Sequence, residues 1–207
     1  AAGCAPSGNQ STDSLPWSQT SVTSAASGAT SPADAEVETP VQADAEELAF
    51  RDRIVRDCLD DLRRIASEPL VVRAVEEANR SGRQTQQQID QTDLRWRQTK
   101  GVDDPLVKKY LSNPCADLLR RSQQKHPNYV ELFVMDNQGC VVAESNKTSD
   151  FWQGDEPKWT ESYHGGNGQI HVGDIEYDQS TRSYVVQISL PVLNGKNMTI
   201  GAMTVSV

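Results

Sequence analysis

The sequence predicts an α+β fold, in which a long N-terminal helix and several short helices precede a five-stranded antiparallel sheet. Residues 46–125 carry apolar side chains at helical spacing, and prolines stand where helices begin or end. From Tyr129 onward the chain changes to short runs rich in β-branched and aromatic residues, most of them joined by short turns. Because all the helices come before all the strands, the order favours α+β over an alternating α/β fold.

The first 45 residues differ in composition from the rest of the 207-residue chain. They hold no Lys or Arg, and they carry five of the charges in a net charge of −9: Asp13, Asp34, Glu36, Glu38 and Asp44. Ala, Ser, Thr, Gly and Pro dominate there without any hydrophobic period, so we predict a disordered tether over residues 1–45 and a domain over residues 46–207. The acidic balance argues against nucleic-acid binding, which needs a basic face.

The start of the chain carries a possible anchoring signal. Ala1, Ala2 and Gly3 precede Cys4, and this series resembles the lipobox of bacterial lipoproteins, in which the cysteine is lipidated. The alternative is a cysteine that stands near a chain end by chance. With lipid on Cys4, a flexible tether of about 40 residues would hold the domain roughly 35 Å from a membrane. We therefore expect a lipid-anchored protein at the periplasmic or outer cell surface.

The helices are predicted in order from their stripes and caps. The first runs from Glu46 to about Ser67, because its apolar residues repeat in steps of seven on a charged rod: Leu48, Val55 and Leu62, with Cys58, Leu59 and Ile65 beside them. Pro69 ends it. Further helices are predicted over residues 71–79, 84–98 and 105–111. Asn113 caps one more helix, with Pro114 at its first position.

The strands follow in a regular series. The first is predicted from Tyr129 to Met135, and a four-residue turn leads into the second, residues 140–144. A polar stretch over residues 145–163 and a glycine-rich loop separate these from three more strands, residues 169–177, 182–190 and 198–207. Turns over residues 178–181 and 193–197 connect the last three. Five consecutive strands of this kind predict one antiparallel sheet.

No constellation for catalysis or metal binding can be assembled. The histidines, His126, His164 and His171, lack helical metal-ligand spacing, and the sequence contains no HExxH, CxxC, GxSxG or P-loop motif. His164 and His171 flank the glycine-rich loop, but surface histidines are the simpler interpretation. We expect no enzyme activity, no metal and no cofactor.

Three cysteines remain if Cys4 is lipidated. At most one pair can form among Cys58, Cys115 and Cys140, and we expect Cys58 to pair with Cys115 if a disulfide forms at all. The alternative for Cys58 is burial as a small apolar side chain, because it lies on the inward stripe of the first helix.

The polar stretch holds the strongest local signal. Two of the four tryptophans, Trp152 and Trp159, lie between Phe151 and Tyr163 in a segment that is too polar for a core. Large aromatic rings with a polar handle suit a ligand pocket. The other interpretation is a lid whose tryptophans plug the sheet.

Four segments carry a family resemblance: MDNQGCVVAES, DFWQGDEPKWTESY, IHVGDIEYDQSTRSYVVQISLPV and IGAMTVSV. Together they resemble the extracytoplasmic Cache sensor domains, PAS-like modules of chemoreceptors and histidine kinases, over residues 46–207. The resemblance implies a single Cache domain that holds one small ligand, often an organic acid, amino acid or amine, between the sheet and a crossing loop-helix element. Carried over by position, the ligand-binding residues are Trp152, Trp159, Tyr163, Asp174, Tyr184 and Phe133.

Two departures from the family pattern limit what the resemblance implies. Pro157 and Thr160 stand where amino-acid sensors keep an Arg and an aromatic residue, so bidentate carboxylate capture is lost and Lys158 is left as a point charge. The sequence also lacks a membrane-spanning helix, and signalling would then need a membrane-bound partner. The alternatives are a ligand-free scaffold that forms homodimers through its first helix, or the ectodomain of a chemoreceptor or histidine kinase.

Overall fold

A computed structural model describes residues 40–178 and 182–207. It contains six helices and five strands in these residues. The helices are α1 (Pro40–Ala66), α2 (Pro69–Arg80), α3 (Gln86–Gln98), α4 (Pro105–Leu111), α5 (Pro114–Lys125) and α6 (Pro157–Tyr163). The strands are β1 (Glu131–Met135), β2 (Val141–Glu144), β3 (His171–Asp178), β4 (Ser183–Leu193) and β5 (Thr199–Ser206). The predicted α+β class is confirmed.

The helix starts follow the signals in the sequence. Thr85 and Gln88 form a reciprocal capping box at the start of α3, and Asn113 accepts the Ala116 N–H at the start of α5. Proline occupies the first helical position of α2, α4, α5 and α6. Two differences stand out: α1 begins at Pro40 rather than at Glu46, and α6 lies inside the stretch that the sequence marks only as polar.

All neighbouring strands of the sheet are antiparallel, in the order β2-β1-β5-β4-β3. The last strand, β5, therefore lies at the centre, between β1 and β4. Alternate side chains of each strand point to opposite faces. We call the face covered by α1, α2 and α5 the inner face, and the face covered by α6 the lid face.

The inner face holds the main hydrophobic core. Helix residues Leu62, Ile65 and Leu119 are fully buried there against aliphatic residues of the strands, among them Ile188 and Val205. The seven-residue stripe of α1 explains this contact, because Cys58, Leu62 and Ile65 are buried on that helix together with Ala66, whereas Leu48 is 55% exposed. The stripe thus packs on the sheet through its C-terminal two thirds only.

A second hydrophobic cluster lies beside the edge strand β2. Trp96 of α3 is fully buried there, with Phe151 and Tyr110 packed against it at ring-centroid distances of 5.9 and 5.7 Å. This cluster joins α3 and α4 to the beginning of the polar stretch. It therefore gives that stretch a fixed starting point.

Several expectations are corrected or fall outside the described residues. The predicted Cys58–Cys115 disulfide is absent: both are free, buried thiols, and the Cys58 thiol donates to the Ile54 carbonyl oxygen (2.7 Å). Cys140 is also a free buried thiol, and burial raises its pKa, which makes it inert. Cys4, nearly all of the tether and residues 179–181 of a predicted turn lie outside the described residues. Within the described part, none of the helices has the length and apolarity to span a membrane.

Candidate functional site

A row of polar side chains crosses the lid face of the sheet. The pairing registers align one residue from each strand, in the order Glu144, Phe133, Thr204, Ser189 and His171. Four of the five are buried, and the Ser189 and Thr204 hydroxyls lie 2.8 Å apart. Buried polar groups need such partners, and a sheet face that only packs would be apolar. The row therefore makes the lid face the candidate functional face of the sheet.

Glu144 is the most unusual member of this row. Its side chain is fully buried, and burial raises its pKa to about 8 even though Thr148 donates to its Oε2 through both N–H (3.0 Å) and hydroxyl (2.9 Å). The Thr148 hydroxyl also lies 2.7 Å from the Asp150 carbonyl oxygen, and one hydroxyl proton can serve only one of these acceptors. A protonated Glu144 resolves the conflict, because the acid then donates to Thr148 and Thr148 donates to Asp150.

The lid segment, residues 145–163, is anchored by α3. The buried carboxylate of Asp93 accepts the backbone N–H groups of Phe151 (2.8 Å) and Trp152 (3.1 Å). Arg97 bridges Asp93 and Asp150, with N–O distances of 2.6 Å to each. Hydrogen bonds between charged and neutral groups of this kind are among the stronger ones in proteins. The first half of the lid is therefore held rigidly, and Asp93 is a positioning residue that the sequence interpretation did not include.

The two lid tryptophans hold the β1–β2 turn. Trp152 donates its indole N–H to the Gln138 carbonyl oxygen, and Trp159 donates its own to the Asp136 carbonyl oxygen, each at 2.9 Å. Gly139 of this turn has a φ of 78°, and a Cβ there would collide with the Gly154 backbone. The turn and the lid thus touch backbone to backbone. Of the two interpretations of these tryptophans, the geometry supports the plug.

Helix α6 places the remaining lid residues over the sheet. The Trp159 ring packs on Phe133 of the polar row, and Tyr163 stacks on Trp159 at a centroid distance of 4.9 Å. Lys158 is turned inward, with its side chain only 15% exposed and its Nζ 5.6 Å from the centre of the Phe133 ring. Its ion-pair partner is Glu156, at 2.9 Å. A largely buried ammonium thus lies beside an aromatic ring on the lid face.

A cleft opens next to Lys158, between the start of α6 and strands β3 and β4. We call it the lid cleft; its volume is about 460 Å³, and its polar lining residues are Glu156, Lys158, His171, Asp174, Glu176 and Gln187. This volume falls within the range of small-molecule sites, roughly 300–1,000 Å³. The cation is on the α6 side, whereas the acids Asp174 and Glu176 are on β3. The lid cleft therefore has the Lys158–Glu156 ion pair on its α6 wall and two carboxylates on its β3 wall.

The structure brings only part of the predicted site to this cleft. Asp174 lines it, but its side chain is 81% exposed and forms an ion pair with Arg51 of α1 at 2.8 Å. It lies where the β3–β4 register shifts, which turns it away from the regular face. Tyr184 is 74% exposed, contacts Tyr177, and lines a groove with the N-terminal part of α1 instead. Phe133, Trp159 and Tyr163 lie under or beside Lys158, and Trp152 lies over the turn.

The sequence does contain a signal for the residues that were missed. In β4, Gln187 and Ser189 alternate with Val186, Ile188 and Leu190, and in β5 Thr204 alternates with apolar neighbours in the same way. Such alternation normally marks a solvated face, yet Ser189 and Thr204 are fully buried. A polar face under a tryptophan-containing segment is a pattern that predicts a covered polar site.

Comparison with known proteins finds similarity among solved structures. No family model matches the chain, and no curated protein matches it either. Among solved structures, it is similar to the sensor domain of the V. cholerae histidine kinase DctB, with 16% identity over 81% of this chain and 55% of that one, and a TM-score of 0.44. The E. coli DcuS sensor domain matches at 11% identity over 76% of this chain and 90% of that one, also with a TM-score of 0.44.

A third neighbour is the sensory domain of the Campylobacter jejuni chemoreceptor Tlp3 with isoleucine bound, at 14% identity and a TM-score of 0.36. The match covers 76% of this chain and 62% of that one. These neighbours are sensor domains, not enzymes. All three carry the name of a sensor or sensory domain. The chain spans between about half and nine tenths of the length of these neighbours.

Proposed function

We propose that this domain is an extracytoplasmic sensor module that binds one small, charged organic molecule in the lid cleft. The observation that carries the proposal is Lys158, a largely buried ammonium at the mouth of a cleft. Holding a lysine in this position costs desolvation, and the single exposed partner Glu156 compensates for only part of it. A ligand carboxylate that reaches Lys158 would give its ammonium group a second ion-pair partner.

The opposite wall of the lid cleft defines the second half of the ligand. Asp174 and Glu176 present carboxylates from β3, and Gln187 adds an amide that can donate or accept. A ligand with an anionic group at one end and a donor or ammonium group at the other matches both walls. Asp174 would exchange its exposed pair with Arg51 for the ligand, which costs little because exposed pairs contribute about 0–1 kcal/mol.

A thermal-shift screen with amino acids, organic acids and amines tests this function. A ligand that binds only the folded state raises the stability by RT ln(1 + [L]/Kd), which is about 2.7 kcal/mol at a hundredfold excess over Kd. The Lys158→Met variant keeps the stem and removes the charge, and we expect it to weaken binding at least tenfold. Lys196→Met, on the exposed β4–β5 turn, is the matched control and should bind as the parent does. A screen without hits, or hits that Lys158→Met binds equally well, would rule the proposal out.

The context of the sensor is a further part of the proposal. We propose that lipid on Cys4 attaches the protein to a membrane through residues 1–45, and that a membrane-bound partner receives the signal. The lipobox resemblance supports this. Incorporation of an alkyne-labelled fatty acid into the full chain tests it, with Cys4→Ala as the variant that should lose the label. Label that persists in Cys4→Ala would overturn the anchor.

The scaffold alternative also has one observation in its favour. Leu48 and Phe50 of α1 are about half exposed, and Tyr184 lies beside that end of the helix. These apolar side chains suit a second copy of the chain packed against α1. Sedimentation of the parent and of the Leu48→Glu/Phe50→Glu variant decides the matter: a dimer that becomes a monomer supports this function, and a monomeric parent excludes it.

A further inference from the structure

Another cavity among the described residues lies on the other side of the sheet edge. It measures about 640 Å³ and is enclosed by α2, α4, the start of α5 and the edge strand β2; we call it the edge cavity. On α2 its apolar wall includes Leu70 and, one turn apart, Ala74 and Ala78, and its base includes Val141 and the buried Cys115. Because alanines stand where larger side chains would fill the space, a gap remains between α2 and β2.

Two cations stand at the rim of the edge cavity, on opposite walls. Arg73 comes from α2 and Lys109 from α4. Many basic residues of the domain are paired, including Arg51, Arg64, Arg97 and Arg120, but within residues 40–178 and 182–207 neither Arg73 nor Lys109 lies within 4.0 Å of a carboxylate oxygen. The Lys109 ammonium instead lies 3.4 Å from the Tyr110 hydroxyl.

The other polar groups of the edge cavity further limit which ligands could bind there. Burial raises the pKa of Tyr110 to about 12, so its hydroxyl remains a neutral donor. The amide of Asn113 is already used, since it donates to the Val142 carbonyl oxygen (3.0 Å) and holds β2 in place. Asp136 accepts the N–H groups of Gln138 and Cys140, and Glu77 adds a carboxylate at the rim that would repel a second negative charge.

We propose that the edge cavity is a second binding site, for an amphipathic organic monoanion. The carboxylate of the ligand meets the Arg73 fork and the Lys109 ammonium, with the Tyr110 hydroxyl as a further donor. The apolar body lies on Val141 and between the alanines of α2. The mixture of an apolar base with a few converging donors is typical of small-molecule sites. This site is separate from the lid cleft and does not depend on the function proposed there.

A titration with three probes of equal chain length tests the proposal: hexanoate, hexanol and hexylamine, followed by NMR chemical shifts of the ¹⁵N-labelled protein. We expect hexanoate to shift resonances of α2, α4 and β2, and to bind at least tenfold more tightly than hexanol or hexylamine. Charge-assisted hydrogen bonds of the kind proposed account for a factor of roughly ten or more. Equal binding of hexanol and hexanoate, or shifts confined to α6 and β3, would overturn the site.

Matched variants locate the binding. Arg73→Gln/Lys109→Gln should weaken hexanoate at least tenfold, whereas Arg80→Gln/Lys108→Gln removes the same charge from the same two helices outside the cavity and should leave the affinity unchanged. Ala78→Leu fills the space and should abolish binding. Lys158→Met should not affect hexanoate at all, which separates this test from that of the lid cleft. An equal loss in both double variants would show mere surface attraction and contradict the proposal.

Discussion

The two faces of the sheet are built from the same five strands, but the inner face buries aliphatic side chains whereas the lid face buries polar side chains together with apolar ones. On the inner face, aliphatic residues of the strands meet Leu62, Ile65 and Leu119 of the helices, and all of them are fully buried. On the lid face, the buried row includes Glu144, Thr204 and Ser189 under α6 and the tryptophans. Alternation along each strand therefore separates two tasks within one sheet.

The difference shows that the inner face contributes more to the stability of the fold than the lid face does. Burying aliphatic side chains stabilises a fold by about 1.5–3 kcal/mol for each large residue. Burying a hydroxyl or a carboxyl brings at best a small net gain, and only if every hydrogen bond is made. The oxygen atoms Glu144 Oε1 and Gln153 Oε1 are buried without a partner, and both belong to the lid side. The lid face thus contributes less to stability than an apolar face of the same size would, as expected for a face with a binding role.

The largest expected effect comes from breaking the inner face. Leu62→Ala should lower the free energy of unfolding by about 2–5 kcal/mol, because it leaves a cavity in a fully packed core. The matched lid-face change, Ser189→Ala together with Thr204→Val, removes both hydroxyls of one hydrogen bond and should cost about 1 kcal/mol or less. Urea unfolding of both variants measures the contrast. Equal losses would show that the two faces do not differ in this way.

The next effect depends on pH and sharpens the contrast at Glu144. Its pKa is about 8 in the folded protein and 4.5 in its ordinary range, so the folded state holds a proton that the unfolded state releases. The contribution of Glu144 to the free energy of unfolding is fully present below pH 4.5. It decreases as the pH rises towards 8, by at most about 1.4 kcal/mol per pH unit.

Glu144→Gln should remove this slope, so that the variant gains about 3 kcal/mol relative to the parent between pH 5 and pH 7.5. Urea unfolding over that interval gives both curves, and Glu161→Gln, an exposed residue of α6, serves as the control that retains the slope. Parallel curves for Glu144→Gln and the parent would show that Glu144 is already ionised in the fold.

A smaller effect tests the tryptophans as clamps of the β1–β2 turn. Trp159→Phe and Trp152→Phe each keep an aromatic ring but lose the indole N–H donated to a turn carbonyl, at a cost of about 1–2 kcal/mol. Chemical denaturation measures the loss, and faster amide hydrogen exchange at Gln138 and Gly139 should accompany it. If both variants keep parental stability and exchange while ligand binding is lost, the tryptophans are pocket residues after all.

The smallest effect is expected at Asp174. Its pair with Arg51 is exposed, so Asp174→Asn should change the free energy of unfolding by no more than about 0.5 kcal/mol. The same variant should weaken a ligand that carries an ammonium group in the lid cleft. A stability loss above 1 kcal/mol, measured by thermal unfolding at low and high salt, would show instead that Asp174 mainly holds α1 on the sheet.

Local signals in the sequence predicted the elements better than the site. The helix starts at Pro105 and Asn113, and the turn that ends in Gly139, are read from neighbouring residues alone. The roles of the tryptophans cannot be read from neighbouring residues, because the Trp159 indole bonds to the Asp136 carbonyl oxygen, which lies 23 residues earlier in the chain. Tyr184 was grouped with Trp159 by its motif, yet strand register places it on the other side. The start of α6 had a local signal, Pro157, which the polar composition around it concealed.

The central position of β5 has a consequence for how the molecule folds. Two hairpins, β1–β2 and β3–β4, can each form from neighbouring residues. They are joined in one sheet only by β5, which pairs with β4 and with β1 residues some 70 positions earlier. Contacts of such long sequence separation slow folding, because the loop between them must close before they contribute. Until residues 199–206 pair with β1, the lid cleft exists only as separate halves, with the α6 wall on one side and the β3–β4 wall on the other.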